Sequence, residues 1–298
     1  MGYYENHSQK ANKLTRQIKG PLKEIHFVTG KGGVGKSTYA VMLASQFAKQ
    51  NKKTLLVEIG ERSFYSSLFG KPIQYKPTSI VDNLEVAHWS ATECLKSYVL
   101  SLVKVRAIYN LFFENPVSKS LIQVAPGLSE LAIIGQITSS PRRHGPHGDH
   151  EILVVDAYAT GHFLNLVQST KAMADTVPIG PMHEQSKKMD EVLRDFDMCH
   201  CHIVTIAEDL VLTESLELLK SLEKEFRWKP DFILNRYLET TLESKDLNHQ
   251  SEFLLQALQN KLLQQELAIK TLSGKAQNIK TLPLIKKLHT FEDMEALL

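Results

Sequence analysis

Nine residues near the start, Gly30-Lys31-Gly32-Gly33-Val34-Gly35-Lys36-Ser37-Thr38, carry the densest chemistry in the chain. Gly30, Gly35, Lys36 and Ser37 fall at the spacing G-x-x-x-x-G-K-[ST]. Glycines at these places let backbone N–H groups turn inward around phosphate oxygens. A lysine at position 36 reaches the outer phosphates of a nucleotide, and the Ser37 hydroxyl is a ligand for Mg2+. Gly32, Gly33, Val34 and Thr38 complete the cradle. A second candidate is Asp156, which follows an apolar run. A carboxylate at the C-terminal edge of a strand beside a phosphate loop can hold the Mg2+ shell through water.

Such a loop works only if a strand delivers it and a helix receives it. The run Glu24–Val28 precedes it and the helical stretch Ser37–Lys49 follows, adding the partial positive charge of a helix N-terminus. Further short apolar runs predict strands at Thr54–Glu58, Leu121–Ala125, Ile152–Val155, Thr176–Ile179, His202–Ile206, Phe232–Leu234 and Thr281–Leu284. Leu212, Leu216, Leu219, Leu222 and Phe226 lie on one helical stripe, and Leu254, Leu255, Leu258 and Leu262 on another. Strands alternating with helices predict an α/β fold, a doubly wound and mostly parallel sheet. Residues 91–140 break the alternation and predict an inserted helical subdomain. Residues 1–22 read as a flexible basic tail and 139–150, rich in Pro, Gly and His, as a mobile surface loop. The single domain then spans residues 23–298.

Composition bounds the function. The chain has 298 residues with Lys+Arg 35 against Asp+Glu 33. This near balance argues against a nucleic-acid partner. Three cysteines are too few for a disulfide framework and point to a reducing, cytoplasmic setting. Neither an integral membrane segment nor a secretory signal pattern is expected.

The form GKGGVGKST closely resembles the deviant Walker A loop of the arsenite-pump, Min-system and plasmid-partition ATPases. Val154-Val155-Asp156-Ala157-Tyr158-Ala159-Thr160-Gly161-His162 resembles the D-x-A-P-T-G-H segment of the arsenite-pump and tail-anchored-protein-targeting ATPases, with Tyr158 and Ala159 where that family has Ala and Pro. Pro126-Gly127-Leu128-Ser129-Glu130-Leu131 looks like its P-G-x-x-E-L element. The resemblance covers Ile25 to the C-terminus. It implies a P-loop NTPase that binds ATP with Mg2+ and works as a dimer, either of two copies or with a paralogue. Lys31 would reach the partner's nucleotide. Asn235 stands where the family contacts adenine, and its amide suits the donor and acceptor of that base edge. Pro283 lies in the segment that packs near the base. An unidentified protein client would meet the helical segment.

One departure bears on catalysis. After the second strand the family reads D-P-A-H, its aspartate orienting the attacking water. Here the stretch is Val57-Glu58-Ile59-Gly60-Glu61-Arg62, with Gly60 in the aspartate's place. Some bacterial proteins of the wider group resemble it in a V-E-x-x-x-R pattern. Either Glu61 or Glu58 takes over the role, or neither does and the chain is a hydrolysis-deficient, nucleotide-dependent scaffold. A Min/partition-type positioning ATPase is a third reading. The zinc-binding C-x-x-C of the targeting ATPase is absent from the sequence. Cys199 and Cys201 read as core thiols, and His144, His147 and His150 as solvated side chains.

Overall fold

A computed structural model describes residues 22–102, 127–145, 148–239 and 252–284. Residues 1–21, Leu121–Ala125 and His147 lie outside the described residues, and Leu22, assigned to the tail, is instead buried in the main core. The strands are β1 (Glu24–Gly30), β2 (Thr54–Ile59), β3 (Thr78–Val81), β4 (Leu84–Trp89), β5 (Ile152–Asp156), β6 (Cys199–Ile206), β7 (Asp231–Tyr237) and β8 (Ile279–Pro283). They form one sheet in the order β3-β4-β2-β5-β1-β6-β7-β8. Every neighbouring pair is parallel except β3 with β4. The described helices are α1 (Lys36–Lys49), α2 (Tyr65–Leu68), α3 (Ala91–Leu102), α4 (Leu128–Ile137), α5 (Ser139–Arg142), α6 (Thr160–Thr176), α7 (Pro181–Leu193), α8 (Asp209–Phe226) and α9 (Glu252–Ser273).

Strand alternation sorts the apolar residues onto two faces. Ile25, Phe27, Val57, Val155 and Ile203 face a core shared with α4, α6, α7 and α8. Val28, Leu56, Val154 and Val204 face a second core built on α1. Because both faces are covered, the central strands read as continuous apolar runs rather than as alternation. The order reversal at β1 and β5 leaves the loop after β1 at the carboxyl edge of the sheet. That crevice is where open α/β sheets take ligands.

Three expectations change. Thr176–Ile179 is no strand: Thr176 ends α6, Ile179 is 83% exposed, and Gly180-Pro181 starts α7. Pro178 removes a ladder donor there, and α6 already buries Phe163, Leu166 and Val167 on its helical stripe. Conversely, β3 and β4 form a hairpin that the apolar runs did not mark, turning at Asn83 with φ 60°. The surface placement of 139–150 holds only in part, with Arg143, Gly148 and Asp149 exposed. Ser139, Ser140 and Pro141 are buried in α5, and Arg142 donates to the Gly135 carbonyl, Thr138 and Gln185 at 2.7–2.9 Å. His150 is buried against Glu85 at 2.6 Å rather than solvated. The described helices of 91–140 bury Cys94, Leu95 and most of α4 in the main core.

Candidate functional site

At Gly30, φ is 145° and an added Cβ would run into the Val204 carbonyl of β6. At Gly35, φ is 99° and a Cβ would run into the Asn235 amide. Both positions therefore demand glycine. Gly32 and Gly33 differ, because a Cβ on either meets nothing within 4 Å. The middle of the loop thus borders open space. α1 starts there with no side-chain cap and no acidic residue in its first turn, so its leading N–H groups are left for a ligand.

Lys36 arches back over the loop, its Nζ donating to the Lys31 carbonyl at 3.0 Å. Burial lowers its pKa, opposed by the charge of Asp156. Asp156 ends β5 and is 6% exposed. Burial pushes its carboxyl up to about 6, while hydrogen bonds from Ser37 and Tyr65 and the charge of Lys36 pull it down. The Tyr65 hydroxyl donates to Asp156 Oδ2 at 3.0 Å and lies 3.4 Å from the Ser37 carbonyl.

The two glutamates separate. Glu58 sits opposite Asp156 in the β2–β5 register and is buried. It accepts from the Ser63 hydroxyl at 2.7 Å and from the Phe64 and Tyr65 N–H groups at 2.8 and 3.4 Å. Its carboxylate therefore caps α2 and fixes Tyr65 against Asp156. Glu61 is exposed in the turn after β2. Its charge adds to burial in raising the Tyr158 hydroxyl to about 12, so it stands near the residue that replaces the resembled family's alanine. The Tyr158 carbonyl accepts from Thr29 at 2.9 Å, joining the ends of β1 and β5.

On the other side of the loop, Asn235 Nδ2 donates to the Val34 carbonyl at 2.8 Å and its Oδ1 accepts from the Arg236 N–H at 2.8 Å. Arg236 in turn donates to the Gly33 carbonyl at 2.7 Å. With Thr38, Tyr39, Met42 and Pro283 these two residues line a cavity of about 190 Å³. Lys31 Nζ is 2.6 Å from Glu214 of α8.

Thus the structure gathers Lys36, Ser37, Asp156 and Glu58 behind the loop and Asn235 and Pro283 beside it, with Lys31 half-buried against Glu214 and Glu61 at the exposed rim. Magnesium and a nucleotide fit these residues: open space within the loop, an uncapped helix start, and a hydroxyl and carboxylate already hydrogen-bonded. Sequence reasoning missed Tyr65, Arg236 and Glu214. Only Arg236 carried a signal, as a cation adjoining Asn235.

A glycine loop at the carboxyl edge of a doubly wound sheet, with serine and aspartate behind it, defines a P-loop nucleotide-binding protein. The profile of the anion-transporting ATPases matches residues 23–179. The chain is 30% identical to ATPase BagA of Mycobacterium tuberculosis over 237 residues, 76% of this chain and 69% of that protein. It is 28% identical to ATPase ASNA1 homolog 2 of Paramecium tetraurelia, covering 54% and 48% of the two chains. A Halobacterium salinarum protein named for arsenical pump driving is 28% identical, with 58% and 29% covered. The chain belongs to the anion-transporting ATPase family. Among the described residues, no helix is long and apolar enough to cross a membrane.

Proposed function

We propose that the chain binds ATP with Mg2+ and hydrolyses it as a dimeric switch, its nucleotide state controlling a client-binding surface on the helices between β4 and β5. The carrying observation is the Lys36–Ser37–Asp156 arrangement beneath an uncapped α1. The loop N–H groups and Lys36 hold the phosphates. Ser37 ligates the metal and Asp156 orders its water shell, while bound Mg2+ supplies charge neutralisation on the phosphate oxygens. Asn235 and Pro283 flank the base. Glu58, committed to three donors, positions Tyr65. Glu61, exposed in the turn after β2, orients the attacking water. Lys31 leaves Glu214 to complete the site of a second copy or a paralogue.

A second reading, a nucleotide-gated scaffold with little turnover, is favoured by Gly60 and by the engagement of Glu58 elsewhere. The test is steady-state ATP turnover with Mg2+, wild type beside Lys36→Ala and Glu61→Gln, with molecular mass measured in parallel. The switch predicts turnover lost in both variants and an ATP-dependent dimer. ATP binding without turnover in the wild type supports the scaffold instead. No ATP binding in the wild type overturns both.

A further inference from the structure

At the opposite end of the sheet from the phosphate loop, β1 and β6 start with an unusual set of polar side chains. Glu24 and His26 lie two apart on β1 and so share a face. In the parallel register His26 pairs with His200, and Val28 pairs with His202. The same alternation turns Cys199 and Cys201 into the opposite core, away from the imidazoles. Five intervening residues put Glu24 roughly 20 Å along β1 from the glycine loop, so this group has no part in the nucleotide site.

We infer that Glu24, His26 and His200 form a zinc site that clips β1 to β6. One carboxylate oxygen and one nitrogen from each of the two rings lie within 4.8 Å of one another. His26 Nε2 and Glu24 Oε2 are already 3.0 Å apart. Tetrahedral zinc, with bonds of about 2.0–2.2 Å to nitrogen and oxygen, sets its ligands roughly 3.3 Å apart. The third ligand atom, a ring nitrogen of His200, lies within 4.8 Å of the other two, so zinc has to draw it inward. That ring is half-buried and stacks on His26 at 4.7 Å, with 22° between the planes. Two imidazoles and one carboxylate make a donor set suited to zinc, and since Glu24 and His200 are both partly exposed, water is the fourth ligand.

The surroundings supply what a metal-bound histidine requires. A ligating imidazole donates its other N–H to a partner that fixes its tautomer. His26 Nδ1 is 3.1 Å from His202 Nε2, and His202 Nδ1 is 3.3 Å from the Tyr39 hydroxyl and 3.8 Å from Asp231 Oδ2. Without metal, Tyr39 donates to His202, His202 to His26, and His26 to Glu24. With zinc on His26 Nε2, the row reverses: His26 Nδ1–H donates to His202 Nε2, and His202 Nδ1–H faces Tyr39 and Asp231. Both rings stay neutral and every ring nitrogen of His26 and His202 keeps a partner. The opposing group is Lys52, whose Nζ lies 3.5 Å from Glu24 Oε1. It is partly exposed, so zinc displaces it toward solvent.

The test is zinc titration of the chelator-treated, nucleotide-free protein by calorimetry, with Co2+ absorption as a geometric probe. Wild type is expected to bind one equivalent at this site and to give the intense visible bands of tetrahedral cobalt. His200→Ala and Glu24→Gln should each weaken zinc at least tenfold, while Cys199→Ser leaves it unchanged. His200 is half-buried, so its alanine variant tests the site without emptying the core, and circular dichroism verifies folding of both variants. A wild type that binds no zinc overturns the inference. So does unaltered affinity in both ligand variants.

Discussion

Replacing Tyr65 by Phe removes one oxygen and leaves the ring in place. That oxygen donates to Asp156 at 3.0 Å in a fully buried setting. At pH 7.5 the Asp156 carboxyl, raised to about 6 by burial, is mostly ionised. The lost bond is then charge-assisted and costs about 1.5–3 kcal/mol; between neutral partners it costs about 0.5–1.5 kcal/mol. A carboxyl raised in the folded state binds more protons there than in the unfolded chain. Its contribution to stability is therefore greatest below the ordinary carboxyl pKa and is lost as pH rises through about 6. Removing the hydroxyl raises that pKa further and extends the loss to higher pH. The assay is urea unfolding of metal- and nucleotide-free protein at pH 5 and 7.5. The expected result is a deficit of about 1.5–3 kcal/mol at pH 7.5 and roughly half of that at pH 5. Equal deficits at the two pH values, or no deficit at pH 7.5, would refute the claim that Tyr65 compensates the buried charge.

Gly35→Ala should cost about 1–2 kcal/mol in unfolding free energy from its left-handed backbone, and more where the new methyl displaces Asn235. ATP affinity, read by calorimetry, should fall with it, whereas Gly32→Ala, with open space around its Cβ, should leave stability unchanged. The Cys94, Cys199 and Cys201 thiols are buried and pushed up by desolvation. An aromatic disulfide reagent at pH 8 should therefore label none of the three until denaturant is added; labelling at the rate of a free thiol would contradict that burial.

The central fold and the phosphate cradle are local, and local order is what a sequence displays directly. Gly30 to Thr38 carries its glycines, lysine and hydroxyl in consecutive positions, so the motif and its flanking strand and helix are visible together. The continuous apolar runs of β2 and β5 announce strands covered on both faces. Thr176–Ile179 misleads because a short apolar run beside proline has no period to distinguish a helix end from a strand. The β3–β4 hairpin lies at the sheet edge, where half-exposed residues dilute the apolar signal.

Sequence by itself thus determined the doubly wound sheet, the loop, the carboxylate at the end of β5 and the resemblance that the family match bears out. Only tertiary structure decided which groups meet. Tyr65 reaches Asp156 across 91 positions, and Asn235 reaches Val34 across 201. Glu58 and Glu61, three positions apart, part company because one points into the α2 cap and the other into solvent. His26 meets His200 and His202 only because β1 and β6 pair in one particular register. A one-residue slip would turn the histidines to the other face. Such pairings depend on the order of strands in the sheet and on burial, and neither is written in the spacing of any single segment.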